Sequence, residues 1–296
     1  MSLEHRVQGR SFWRGLFDNV TVADIACLSF AAVYYYIVVV RLDAGLGLRT
    51  MAPALLLLLI IRTQGSVRYW LAFFALFFFY ETMRAVADDI NTRIDFDRVL
   101  RLEYVLFMHH YPVILLQKLR HPLLDVTFFS AYSTHFINIL IPAIFLWRRH
   151  ATRFRGFVTA VIVTVYLGFI IFIVFPVAPP RLALAGTSWI TQSVASWAWP
   201  TIVRGLNSNP FAAMPSMHVA LPFLVFLYFR RFHRTFAIIY GVLCVLIGVG
   251  AVYLGEHYAV DIIGGLIVAT IGYYIARKFT PGADEPAGAI RRTARV

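Results

Sequence analysis

FAIIYGVLCVLIGVGAVYL, residues Phe236–Leu254, runs nineteen residues without a charged side chain, and the next seven, GEHYAVD (Gly255–Asp261), hold two acids and a histidine. As a helix the run is about 28 Å long, close to the thickness of a bilayer's hydrocarbon core. Runs of the same kind recur at Val22–Val40, Val67–Val86, Leu123–Trp147, Phe157–Val177, Val219–Phe229 (its helix starting at Pro215) and Ala259–Ala276. An eighth, Met51–Ile61, is short, and crosses only if Arg49 and Arg62 snorkel; otherwise it is re-entrant. Leu102–Leu119 mixes apolar and polar residues at helical spacing, which predicts one helix lying along the interface. The fold class is therefore all-α and polytopic, with about seven to eight transmembrane helices.

Composition agrees. Of 296 residues, 60% are hydrophobic and 14% charged, too little polar surface for a soluble protein of this size. The net charge of +12 does not indicate nucleic acid, because the basic residues sit in short clusters between apolar runs. Placing Arg6–Arg14, Arg148–Arg155, Arg230–Arg234 and Arg277–Arg295 all inside is self-consistent if Met51–Ile61 crosses, giving about eight spans with both ends cytoplasmic; if that run is re-entrant, the N-terminus moves outside and the rest stands. Three segments follow: 1–66, an N-terminal tail with accessory membrane helices; 67–278, a catalytic membrane domain; 279–296, a disordered basic tail. No cleavable signal peptide is expected. Cys27 and Cys244 both lie inside apolar runs and read as packing residues, with no disulfide or metal pattern.

The chemistry sits at the mouths of the runs. His257 and Asp261 are four apart, on one helical face, where the carboxylate can fix the imidazole tautomer and leave the other ring nitrogen nucleophilic. The alternative is a structural pair sealing a helix end. Pro215-Ser216-Met217-His218 reads as a helix start with Pro215 in the first turn, an anion-binding terminus with Ser216 beside it, and His218 one turn in as proton donor. The alternative is an ordinary cap. On the topology above, His218, His257 and Asp261 all reach the outer face. Pro179-Pro180-Arg181 joins them there, and Arg181 would clamp a phosphate. Tyr132 and His135 are polar residues within a span, and so candidates for the site or for a helix–helix bond. Glu256 points away from His257 and is not the orienting acid. His109-His110 and Asp88, Asp89, Asp95 and Asp97 lack the spacing of a metal site.

These elements resemble the type 2 phosphatidic acid phosphatase superfamily, whose second motif is Pro-Ser-X-His and whose third is Ser-Arg, five residues, then His-X-X-X-Asp. Pro215–His218 matches the second; His257 and Asp261 match the end of the third. Two departures stand out: Gly250-Ala251 replace the Ser-Arg pair, and the first motif's Lys has no counterpart beside Arg181. Tyr80–Arg84, Glu103, Leu116-Gln117, Tyr132 and His135 are similar to the pattern of bacterial members of the aureobasidin-resistance, or inositol phosphorylceramide synthase, branch. The resemblance runs from about Tyr80 to Gly265. It implies a six-helix phosphatase/phosphotransferase-like core, with Arg84, His135 and Tyr132 supporting the site.

With two cations of the pattern absent, a singly charged phosphodiester is the expected substrate. The expected activity is lipid phosphotransfer, moving an inositol phosphate-like head group from a phospholipid donor to a lipid acceptor hydroxyl. His257 is the nucleophile, Asp261 orients it, and His218 is the acid–base. Arg181, Ser216 and Pro215 frame the phosphate. The alternatives are a lipid phosphate or polyprenyl diphosphate phosphatase, with water as acceptor, and a non-enzymatic transporter. No cofactor or metal is expected, and no nucleic-acid partner. The expected location is the bacterial cytoplasmic membrane with the site facing outward.

Overall fold

The computed structural model describes residues 66–85, 91–135, 137–198 and 211–283, and of the side chains at 66, 76–79, 81–85 and 195–198 nothing is stated. The chain divides into two compact units, Met1–Thr82 and Met83–Val296. From the first, α1 (Ser66–Ala85) is described and runs across the boundary. The rest belongs to the second: α2 (Arg98–Leu106), α3 (Pro112–Gln117), α4 (Pro122–Ser133), α5 (Ile137–Arg149), α6 (Ala151–Val174), α7 (Pro180–Ala183), α8 (Ile190–Ala198), α9 (Met217–Phe229), α10 (Arg234–Tyr253) and α11 (Ala259–Phe279). Among the described residues there is no sheet. Two isolated parallel bridges, Asp95 to Val177 and Val177 to Ala212, tie three chain segments together ahead of α9. The protein is a multi-pass, all-α membrane protein.

Among the described residues three helices, α6, α10 and α11, are long and apolar enough to cross a bilayer, and α4 with α5 makes a fourth span if the bent pair counts as one. This is fewer than the seven to eight expected, for identifiable reasons. Val22–Val40 and Met51–Ile61 lie outside the described residues. The run Leu123–Trp147 is broken after Ser133, where α4 and α5 meet at 47°. Polar Ser133, Thr134 and His135 sit at that break, and Thr134 bonds back to the Ala131 carbonyl, so apolarity continues while the helix axis does not. α9 is only thirteen residues, starting two residues later than expected. Leu102–Leu119 is two short helices, not one. The chain turns between them through Met108 and His109, both with positive φ.

The packing of α6, α9, α10 and α11 sets the site. Hydrophobic burial does little to join helices in lipid, so close approach at small residues decides. A Cβ on Gly265 of α11 would lie 2.4 Å from the Ser216 carbonyl oxygen, and one on Gly272 would lie 2.2 Å from the Thr164 hydroxyl of α6. These contacts press the first turn of α9 and the middle of α6 onto α11. At the opposite end, the Tyr228 hydroxyl donates to the Arg153 carbonyl, 2.7 Å, beside a stack of Phe229 on Phe236. Connectivity alone puts all the described basic clusters at that end. His218, His257 and Asp261 share the other.

α10 ends in a defined turn that launches the His257 segment. Gly255 has φ +80°, its N–H donates to the Val252 carbonyl, and the N–H groups of Glu256 and His257 both donate to the Ala251 carbonyl. This pattern is a Schellman closure. A side chain at 255 would be strained and would also meet the Ser188 carbonyl at 2.8 Å. Ala251 and Gly250, the pair standing where the family pattern has Ser-Arg, are fully packed: Ala251 is buried and Gly250 abuts Phe128.

Candidate active site

His257 sits in the loop between α10 and α11, 4% exposed. Its Nδ1 lies 2.8 Å from the Ala213 carbonyl oxygen and 3.3 Å from Asp261 Oδ2. A carbonyl oxygen can only accept, so Nδ1 carries the proton. The Nε2 lone pair is therefore the reactive one. Sequence spacing anticipated the Asp261 contact; the shorter contact, to a backbone carbonyl forty-four residues away, had no local signal.

Asp261 is fully buried. Its Oδ2 also accepts the Tyr258 N–H at 2.9 Å, capping the helix it belongs to. Its Oδ1 has no hydrogen-bond partner among the described residues. The next two N–H groups, of Ala259 and Val260, donate to Glu103 of α2 at 3.0 and 2.9 Å. Glu103 is fully buried. Burial pushes its carboxyl up from the ordinary value, and the two N–H bonds pull it partly back. The N-terminus of α11 is thus filled by two internal carboxylates and is closed to an outside anion. Glu103 entered the sequence reading only through family likeness; nothing in its neighbourhood foretells a partner 156 residues away.

His218 lies one residue into α9. Its ring stacks on Tyr132, centroids 3.8 Å apart at 14°, and touches His135 at 4.2 Å. Its centroid is 5.7 Å from that of His257. The break between α4 and α5 is what turns Tyr132 and His135 onto it. Ser216 is the cap residue of α9, and Pro215 precedes the helix, so the expectation of Pro215 in the first turn is corrected. The Ser216 N–H is already used, donating to the Asp261 carbonyl at 3.0 Å, which locks the two motifs together. Its hydroxyl is fully buried and lacks a partner among the described residues.

Arg181 lies beside this group, its N–H on the Gly255 carbonyl at 3.3 Å. Its guanidinium pairs with Glu256 at 2.6 Å and lies over the Trp189 ring at 4.7 Å. Trp189 Nε1 donates to the other oxygen of Glu256, 2.7 Å. Glu256 therefore neutralises Arg181, a partnership the sequence reading missed. Arg84 belongs to α1, but its side chain lies outside the described residues. No group of three or more metal-ligating side chains occurs among the described residues.

Residues 97–275 match the family model described as the PAP2 superfamily. That stretch is more than half of the chain, and the protein belongs to this superfamily. It is 23% identical over 183 residues to a PA-phosphatase related-family protein of Dictyostelium discoideum, covering 55% of this chain and 33% of the relative. It is 32% identical over 81 residues to phosphatidylglycerophosphatase B of Bacillus subtilis, covering 25% of this chain and 40% of the relative. The chain thus spans well under half the length of either curated relative. A crystal structure of Aquifex aeolicus LpxE aligns with a TM-score of 0.46 at 21% identity, covering 60% of this chain and 94% of that one.

Proposed function

We propose that the protein is a membrane enzyme that removes the phosphate group of a lipid through a phosphohistidine at His257, with water as the usual acceptor. The observation that carries this reading is the Nδ1–H bond to Ala213, which leaves Nε2 as the free nucleophile within reach of His218.

In the first half, Nε2 of His257 attacks phosphorus; the N–P bond forms as the P–O bond to the lipid breaks. His218, as imidazolium, gives its proton to the departing alkoxide. Tyr132 stacked on that ring stabilises the cation. In the second half, neutral His218 takes a proton from water, the hydroxide attacks phosphorus, and the N–P bond breaks. Asp261 offsets the positive charge that His257 gains. The phosphate oxygens are held by the Ser216 hydroxyl and by the N–H groups of Met217 and His218, which no carbonyl inside α9 can reach. Pro215 fixes the approach to that turn. Arg181, its side chain buried against Glu256, adds a cation muted by that pairing. The names of the two curated relatives support a phosphatase.

A second reading, transfer of the phospho-head group to a lipid hydroxyl as in the inositol phosphorylceramide synthase branch, is favoured by one observation. Arg181 is already balanced by Glu256, and a site short of net positive charge suits a singly charged diester better than a monoester.

The test is an alkaline detergent quench of the purified protein with lipid carrying labelled phosphate. The expected result is an acid-labile, base-stable phosphoenzyme that is absent in His257→Ala. His218→Gln should recover much of its lost rate with a good leaving group such as p-nitrophenolate. No phosphoenzyme in wild type would sink the mechanism. Labelled phosphate in a second lipid, and not in solution, would select the second reading.

A further inference from the structure

Between α9, α10 and α11, roofed by α3, lies a cavity of about 520 Å³. Every lining side chain is hydrocarbon except Cys244; none is charged or carries a hydroxyl or amide. At one end it is bounded by Val219 and Ala259, the neighbours of His218 and of the His257–Tyr258 pair, with Leu116 above. At the other it is closed by Phe226 and Gly241. Along α10 it extends from Val252 to Gly241, which at the helical rise is about 16 Å.

We infer that this cavity holds one alkyl chain of the lipid substrate. The inference rests on the function proposed above for its chemistry, while its geometry stands separately. A lipid with its phosphate at His257 has its chain pointing along the helix axes into the bilayer, and the cavity starts beside the histidines and runs in that direction. A second polar ligand is excluded because nothing in the lining could replace its hydration. The cavity gains little from hydrophobic transfer, since the chain leaves one hydrocarbon for another. It selects by length and shape, and its floor sets the limit. The space above that floor exists because residue 241 is glycine: a Cβ there would meet the Phe226 ring, 3.5 Å away. Leucine at that position would fill the lower end without touching the histidine end.

The experiment compares wild type with Gly241→Leu on two readouts. The first is kcat/KM for a hexyl-to-dodecyl series of lipid phosphates in mixed micelles. Hexyl substrates should be hydrolysed equally by both proteins, and dodecyl substrates should lose about tenfold or more in the variant. The second needs no turnover: mercuration of Cys244, a thiol 7% exposed in that lining, by a small apolar organomercurial in a Cys27→Ala background, with and without dodecyl phosphonate. The phosphonate should slow labelling in wild type and not in Gly241→Leu. Gly241→Ala supplies the milder variant should leucine impair folding, with a smaller loss confined to the longest chains. Identical chain-length profiles in folded variants, or no protection of Cys244 by any chain, would overturn the assignment. Protection of Cys244 without any hydrolysis would keep the cavity assignment and reject the phosphatase reading.

Discussion

Asp261→Asn separates two roles that family resemblance merges. In many catalytic His–acid pairs the acid sets the tautomer, and replacing Asp by Asn in a Ser-His-Asp triad costs about 10⁴ in rate. Here the Ala213 carbonyl, at 2.8 Å, already holds the Nδ1 proton, while Asp261 Oδ2 lies farther off at 3.3 Å. Asparagine can place its carbonyl oxygen where Oδ2 stands, keeping the bonds to Tyr258 N–H and to His257. Its amide then points where Oδ1 has no partner among the described residues. The substitution is thus close to a pure charge deletion. A full charge pair 3.3 Å apart is worth about 5 kcal/mol at an effective dielectric of about 20. If half a charge develops on the imidazole in the transition state, the loss is about 2.5 kcal/mol, or about 70-fold in rate. Phosphate release from a lipid phosphate in micelles, with the folded fraction checked by thermal unfolding, measures it. A loss of about 10⁴ or more in folded protein would show that Asp261, not Ala213, sets the tautomer. A loss below about threefold would remove Asp261 from charge stabilisation.

Further outcomes follow from named contacts. Glu103→Gln offers one acceptor where two N–H groups donate, so one charge-assisted bond is lost, about 2 kcal/mol or about 5 °C in Tm. Its kcat should fall along with that stability, because α11 carries Asp261. The same variant should change the pH dependence. The Glu103 carboxyl is raised in the folded protein above its usual 4.5, so the folded state holds that proton more tightly than the unfolded chain. That contribution is present below 4.5 and is lost as pH rises through the folded value, so the stability gap between wild type and Glu103→Gln narrows upward; a constant gap would contradict it. Gly265→Val places a branched side chain where a Cβ already lies 2.4 Å from the Ser216 carbonyl, and should cost about 2 kcal/mol or more together with most of the activity. Val242→Ala on the exposed side of α10, 64% exposed and outside the cavity lining, is the control and should change Tm by less than a degree or two.

What the sequence determined by itself is whatever depends on neighbours a few residues apart. An uncharged run long enough to span a bilayer must become a helix there, because lipid offers no partner for an open backbone. That argument held for α6, α10 and α11. The His257–Asp261 spacing forecast a real contact, although His257 sits in the loop ahead of α11 and not on a helical face shared with Asp261. The tertiary structure decided everything that depends on packing between distant segments. It bent the run Leu123–Trp147 and so turned Tyr132 and His135 onto His218. It split the interfacial helix in two and brought Glu103 under α11. It gave Arg181 to Glu256 and Trp189, and it fixed the His257 proton with the Ala213 carbonyl. A buried charge or N–H must find a partner wherever the fold supplies one. Sequence shows that such a partner is needed, and only the folded chain shows which one it is.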